Sequence, residues 1–381
     1  NCVCEKRRKL ALTVCGYCGI VDKEGRFMNN KRQLRQSNIE LLRIISFALI
    51  AALHSVGWYR SVNTSVNDYN WLFANGLNGI ALGAVGCFML ITGYFYDTAK
   101  ARIKRILMPA LAYLLMYFAY FFILDYRMTS VVQPLKELAR NLITNDGMFG
   151  HYWYVQCLLL ITLLSPLFKT VIEKIDQKTH LRSIFVMLIF FSALPTVNYM
   201  TDLFVFQQAL FSSEAATFVM MYFIGAYIRK YPMKIKTRNL AILAVFFTLA
   251  APAVNTLWSS QWSPFLILHP ERSYPFDTYV GPVVDSRNLL CVAQAVSVFA
   301  LFTKFDFKNA VVNKIASLTY GGYLIHIFYV YLLSYILFRL NISEPYIPIL
   351  LSRWVICVVL SLATEFVRQS IVKTTLTKLR V

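Results

Sequence analysis

Long apolar runs and short basic clusters alternate along this chain, and the runs show no strict two-residue alternation. The apolar stretches lie near residues 39–57, 72–96, 106–124, 152–172, 183–200, 214–228, 239–258, 286–303, 315–338 and 347–367. Most approach the roughly 20 residues an α-helix needs to cross a hydrocarbon core. Backbone groups in lipid must be paired within the spanning element, which restricts the choice to helices or a closed barrel. Continuous apolar runs select helices. The pattern therefore predicts an all-α, polytopic integral membrane protein with about ten transmembrane helices. The fifth and sixth carry the weakest signal, because the sixth is short and 201–213 reads either way.

Composition agrees. The 381 residues are 57% hydrophobic and only 15% charged, against about a quarter charged in soluble domains. The net charge of +19 would suit a nucleic-acid partner if it were gathered on one face. It is instead dispersed between apolar runs: Lys100 to Arg105, Lys169 to Arg182, Arg229 to Arg238, Lys304 to Lys314, and the tail from Arg368. With the N-terminus inside, all of these fall on the inner side, and far fewer basic residues fall outside. That is the positive-inside pattern. It predicts an even number of spans, both termini cytoplasmic, and no nucleic-acid partner.

Two outer loops, 125–151 and 259–285, are longer than tight turns, and loops of this size are often functional. Asn63-Thr64-Ser65 and Asn341-Ile342-Ser343 match the glycosylation pattern on the same side. Gly79-x-x-x-Gly83 is a spacing that lets two helices approach closely. Cys87, Cys157, Cys291 and Cys357 lie in apolar runs, where cysteine behaves as a small hydrophobe. Cys2, Cys4, Cys15 and Cys18 crowd the start, with a spacing too irregular for an ordinary zinc site. Residue 1 is Asn, and Met28 begins a stretch fit to start a chain. Residues 1–28 therefore read as a tail, fragmentary or mis-started, and 29–381 as the membrane domain; no metal is expected.

The polar residues inside the apolar runs carry the candidate chemistry. Ser37 and Glu40 fit a capping box at the start of span one. Arg43 then lies about two turns inside, one turn from Glu40 and within pairing distance of it. His54 follows eleven residues later, and eleven steps return to within about 20° of the starting direction, roughly 16 Å along the axis. Both side chains thus share one face. A central arginine costs about 2.5–3.5 kcal/mol to insert, so such residues face a bundle interior or a wet cavity. Taken singly, Arg43 could snorkel to the inner surface and His54 could satisfy a carbonyl; their shared face argues for a cavity opening from the cytoplasm.

Arg102 and Arg105 share a helix face just after span two. They read either as ordinary inner-side charge or as a clamp for phosphate, whose oxygens match arginine forks. His151, with Tyr152, Trp153 and Tyr154, opens span four, as an interface belt or as a site for a polar acceptor at the outer mouth. Tyr323 to His326 puts another ionisable group inside span nine, able to orient a neighbour or act as a base. His180 and His269 fall in predicted loops and carry no assigned role.

In order and spacing these pieces resemble the membrane-bound acyltransferase-3 family. The likeness covers about residues 33–370. Arg43 and His54 form its Arg-x10-His. Phe88 to Tyr94 (FMLITGY) is similar to its FFISGY-type run, with Thr92 where serine is usual. Arg102-x-x-Arg105 is followed by Pro109. His151 to Tyr154 is similar to its HLWFL-like run, Ser165-Pro166 follows, and Tyr323 to His326 matches its late YLIH. The resemblance implies transfer of an acyl group, acetyl being the expected one, from cytoplasmic acyl-CoA to a hydroxyl of a cell-envelope glycan or related acceptor. It implies a bacterial-type plasma membrane. His54 would be the general base or acyl carrier and Arg43 would orient the donor; Glu40, one turn from Arg43 and able to pair with it, completes the expected catalytic set. Arg43, Arg102 and Arg105 would hold the donor, and His151, Trp153, Tyr323 and His326 would lie on the acceptor side. The residues by themselves also admit a transporter or exporter of a polar substrate, or a membrane sensor without chemistry; an arginine clamp joined to an intramembrane histidine favours the enzyme.

Overall fold

The computed structural model describes residues 35–62, 69–96, 102–124, 147–201, 213–258, 286–342 and 346–378, with short pieces at 20–21, 27–28, 136 and 139–140. The four N-terminal cysteines, most of the two long outer loops, His269 and the Asn63 sequon lie outside the described residues, as does Ser343 of the second sequon.

The described residues are almost entirely helical, apart from a two-residue antiparallel pairing of Ile20–Val21 with Phe27–Met28. The helices are α1 (Ser37–Val62), α2 (Tyr69–Tyr94), α3 (Arg102–Leu124), α4 (Trp153–Lys174), α5 (Gln177–Leu188), α6 (Leu194–Thr201), α7 (Glu214–Lys230), α8 (Thr237–Trp258), α9 (Leu289–Phe302), α10 (Ala310–Ala316), α11 (Thr319–Arg339) and α12 (Ile347–Lys378). A helix overlaps each of the ten predicted stretches. Among the described residues seven helical stretches are long and apolar enough to cross a membrane. Their outward faces are apolar: Met108, Leu111 and Leu115 on α3, Phe246 and Leu249 on α8, Val355 and Val359 on α12 are all exposed. In water such belts would be an aggregation liability; in lipid they are matched to the solvent.

Several boundaries differ from the sequence reading, each for a local reason. The fifth span begins earlier, at Gln177, because the Asp176 side chain accepts from the Thr179 N–H and caps the helix. His180 therefore sits in α5, buried, with Nε2 donating to the Phe223 carbonyl at 3.1 Å, and not in a loop. This span continues through a π-turn at Ile189–Ala193 into α6. The ninth span is broken near its start: the short α10, capped by Asn309 through the N–H groups of Val311 and Val312, ends at Ala316, and α11 begins at Thr319. α12 runs eleven residues past the predicted end at 367. Ser37 does not close the expected capping box. It is already helical, and its hydroxyl donates to Asn313 Oδ1 at 3.0 Å and accepts from the Asn309 N–H, tying α1 to the start of α10.

α2 is the centre of one half of the bundle, contacting α1, α7, α8 and α9. Its glycines explain how. A Cβ on Gly79 would stand 2.5 Å from the Cα of Pro252 in α8. Gly93 of α2 and Gly225 of α7 lie against each other's helix, with Tyr222 O and Leu90 O where their side chains would be. α1 joins this half to the other, packing on α10, α11 and α12. The result places Arg43 and His54 at the junction of the two halves.

Candidate active site

At the basic end of the bundle a cavity of about 690 Å³ is lined by Arg35 and Arg43 of α1 and its approach, Lys104 and Arg105 of α3, and Arg368 of α12. Five cations from three separate parts of the chain thus meet in one space. Only Glu365 of the lining is acidic. Two of the cations are held by carboxylates. Arg43 Nη1 donates to Glu40 Oε2 at 2.8 Å, the one-turn pair the sequence predicts. Arg368 makes a two-pronged contact with Glu365, 2.6 Å on each oxygen. Glu365 is only 2% exposed and also accepts from Tyr113 and Gln369. Arg35 donates to the Asn313 carbonyl. Lys104 and Arg105 are exposed and have no carboxylate beside them among the described residues. A two-pronged arginine is fixed in direction as well as in charge.

The inner end of the cavity is aromatic: Phe88, Tyr154, Tyr320 and Tyr323. The Tyr154 and Tyr323 rings stand 5.2 Å apart, edge to face. Directly behind them are three histidines from three elements. His326 of α11 lies 5.3 Å from Tyr323, 5.1 Å from His54 of α1 and 5.4 Å from His151, centroid to centroid. Hydrogen bonds to the backbone of α11 fix two of them. His326 Nδ1 donates to Tyr323 O at 2.5 Å, and His151 Nε2 donates to Leu324 O at 3.0 Å. The Tyr323 hydroxyl closes the loop by donating to the His151 carbonyl at 2.5 Å. Tyr117 braces the same turn, donating to Leu324 O and accepting from the Phe328 N–H. His326 and His151 are buried, whereas His54 is partly exposed. No group of histidine, cysteine and carboxylate among the described residues is arranged to hold a metal ion.

The structure thus brings Arg43, Arg105 and Tyr323 to the cavity, and His54, His151 and His326 together behind it. His151 is packed inside the bundle at 2% exposure, deeper than an outer mouth. Trp153 stacks on Phe218 at 5.3 Å and supports the wall. Glu40, roughly 21 Å before His54 along the same helix, pairs with Arg43 and does not reach the histidines. Arg102 opens α3, and its side chain lies outside the described residues. Thr92 lines the cavity, with its hydroxyl turned back to Phe88 O. Phe88 and Ile91 of the FMLITGY run also line the cavity, whereas Gly93 admits α7 and Tyr94 stacks under Arg229 at 5.1 Å.

Sequence reasoning missed Arg35, Tyr113 and the Glu365–Arg368 pair. A signal for the last was present, since Glu365 is an acidic residue in the tenth apolar run and Arg368 follows one turn later.

Neither a curated protein nor a solved structure matches this chain. The model of acyltransferase family 3, described as an acyltransferase domain, does match, over residues 36–367. Those bounds run from the approach to α1 into α12, and so take in Arg43, Lys104 and Arg105 of the basic cavity, the tyrosine pair and all three histidines, while Arg35 and Arg368 lie just beyond them. The chain belongs to acyltransferase family 3, as a multi-pass integral membrane protein.

Proposed function

We propose that this acyltransferase takes its acyl group, acetyl being the expected one, from cytoplasmic acyl-CoA and delivers it to a hydroxyl of a cell-envelope glycan or similar acceptor. The observation that carries this reading is the pairing of a five-cation cavity with a histidine cluster at its aromatic inner end. Coenzyme A bears several phosphates on a long thin arm that ends in a thioester. Arginine and lysine at the cavity's open end suit the phosphates. The Tyr154–Tyr323 pair separates that space from His326, so the thioester must pass beside these rings.

In the reaction His54 removes the proton from the acceptor hydroxyl, and the oxygen attacks the thioester carbonyl. The carbon–sulfur bond breaks, and the departing coenzyme A thiolate regains a proton. Arg43 lies at the cavity end of α1 and His54 about three turns deeper, so one helix serves donor and acceptor. The basic inner loops argue for a cytoplasmic cavity mouth and cytoplasmic termini in a bacterial-type plasma membrane.

The test is binding of coenzyme A to the detergent-purified protein by calorimetry. Saturable binding is expected, weakened about tenfold or more in Arg105→Ala, as loss of a charge-assisted phosphate contact implies. Absence of binding at millimolar concentration would remove the donor site and leave transport or sensing as the better account.

A further inference from the structure

The histidine cluster contains an acceptor atom that the reaction as written does not use. His326 Nδ1 faces the carbonyl of Tyr323 at 2.5 Å. A carbonyl only accepts, so Nδ1 carries the proton. A neutral imidazole has one N–H, so Nε2 of His326 carries the lone pair. That nitrogen is buried and has no hydrogen-bond partner among the described residues.

The groups facing His326 from each packed element narrow what can donate to it. On α11 the Tyr323 hydroxyl is committed to the His151 carbonyl. From α3 the Tyr117 hydroxyl is committed to Leu324 O. On α12 the Cys357 thiol donates to the backbone oxygen of His326 itself. His151 gives its Nε2 proton to Leu324 O, so the neutral ring has no second N–H. α1 contributes Phe47, which meets the His326 ring edge-on and carries no donor, and His54. The His54 ring lies 5.1 Å away, tilted by 50°, and neither of its nitrogens is engaged among the described residues. At that separation a rotation of the ring brings N–H to Nε2, and bonds of this kind commonly tighten only when substrate is bound.

We infer that His326 is the positioning residue of His54: its Nε2 receives the ring N–H of His54 and thereby fixes which nitrogen of His54 presents its lone pair to the acceptor hydroxyl. This rests on the reading of His54 as the base. When His54 takes the hydroxyl proton, its second N–H remains paired in a region where an unpaired charged donor would be strongly disfavoured. A neutral imidazole supplies the orienting function that a carboxylate supplies in serine-hydrolase triads, without placing a second buried charge at membrane depth.

The experiment uses membrane vesicles from cells carrying the full chain, with their own envelope glycans, given radiolabelled acetyl-CoA or succinyl-CoA. The label transferred to base-labile esters is measured per folded protein. His326→Phe keeps the ring volume and removes both nitrogens; His326→Gln returns an acceptor oxygen near the Nε2 position. The maximum rate is expected to fall about 100-fold in His326→Phe, the lower end of the range for assisted proton transfer. KM for the acyl-CoA should stay within about twofold, since the donor is held elsewhere. His326→Gln should recover a substantial part of the rate. A wild-type rate in His326→Phe, or equal losses in both variants with KM rising in step, would overturn the assignment while leaving His54 as base. No transfer by the wild type, or full transfer by His54→Ala, would remove the parent reading and this one together.

Discussion

Glu365 and Arg368 show how charge is managed at the inner end of the bundle. The carboxylate is 2% exposed, whereas the arginine side chain is 23% exposed and lines the cavity. Removing one partner of a buried pair strands the other, and the penalty follows how buried the survivor is. Arg368→Ala leaves a buried carboxylate and is expected to destabilise by about 3–5 kcal/mol. Glu365→Gln leaves an arginine with a route to water and a side chain that still hydrogen-bonds, so about 1–2 kcal/mol is expected. Thermal unfolding in detergent, followed by size-exclusion chromatography, checks the order; equal losses, or the reverse order, would mean that the pair's burial is not what governs it. The sequence made the residues of α1 legible because Arg43 and His54 lie on one helix, where spacing alone fixes their relation. It left the Glu365–Arg368 pair unassigned, and could not show that His326 stands against His54, because that contact joins residues far apart in the chain.

At the level of elements, α2 illustrates which parts of a membrane bundle a hydrophobic pattern can disclose. The Gly79-x-x-x-Gly83 spacing announced a close packing face, and Pro252 and Gln294 are found against it. The partner helix was not legible, since apolar periodicity says that a face packs and not against what. The same limit applies to α10 and α11, where a break at Ser317 and Leu318 parts the start of one apolar run from the rest. Close approach makes a clear prediction. Gly225→Ala sets a Cβ against the Leu90 carbonyl and the Tyr94 nitrogen, so α2 and α7 must part; a loss of about 1–3 kcal/mol or more is expected from overpacking. Gly76→Ala on α2 meets nothing within 4 Å and removes a flexible residue from a helix, so it should be neutral or stabilise by up to about 1 kcal/mol. Comparable melting temperatures for the two variants would contradict the close α2–α7 contact.

For the whole molecule, the arrangement is polar along one line and apolar around it. The cations gather at one end of the bundle, the tyrosines follow, and the three histidines lie beyond them on helices α1 and α11 and the approach to α4. The charge imbalance of the chain fits this: basic clusters crowd the loops at the cavity's end, the side from which the proposed donor would enter. Chain order revealed the family resemblance, since the motifs recur in sequence over most of the chain, but only the folded bundle relates Arg368 of the last helix to Arg105 of the third. The central claim is that acyl transfer passes through His54, and one comparison tests it most directly. Vesicles carrying the wild type or His54→Ala are given the same radiolabelled acyl-CoA, and ester-linked label is counted at equal amounts of folded protein. Transfer by the wild type and a loss of at least about 10²–10⁴-fold in the variant is the predicted result; undiminished transfer by His54→Ala would contradict the account.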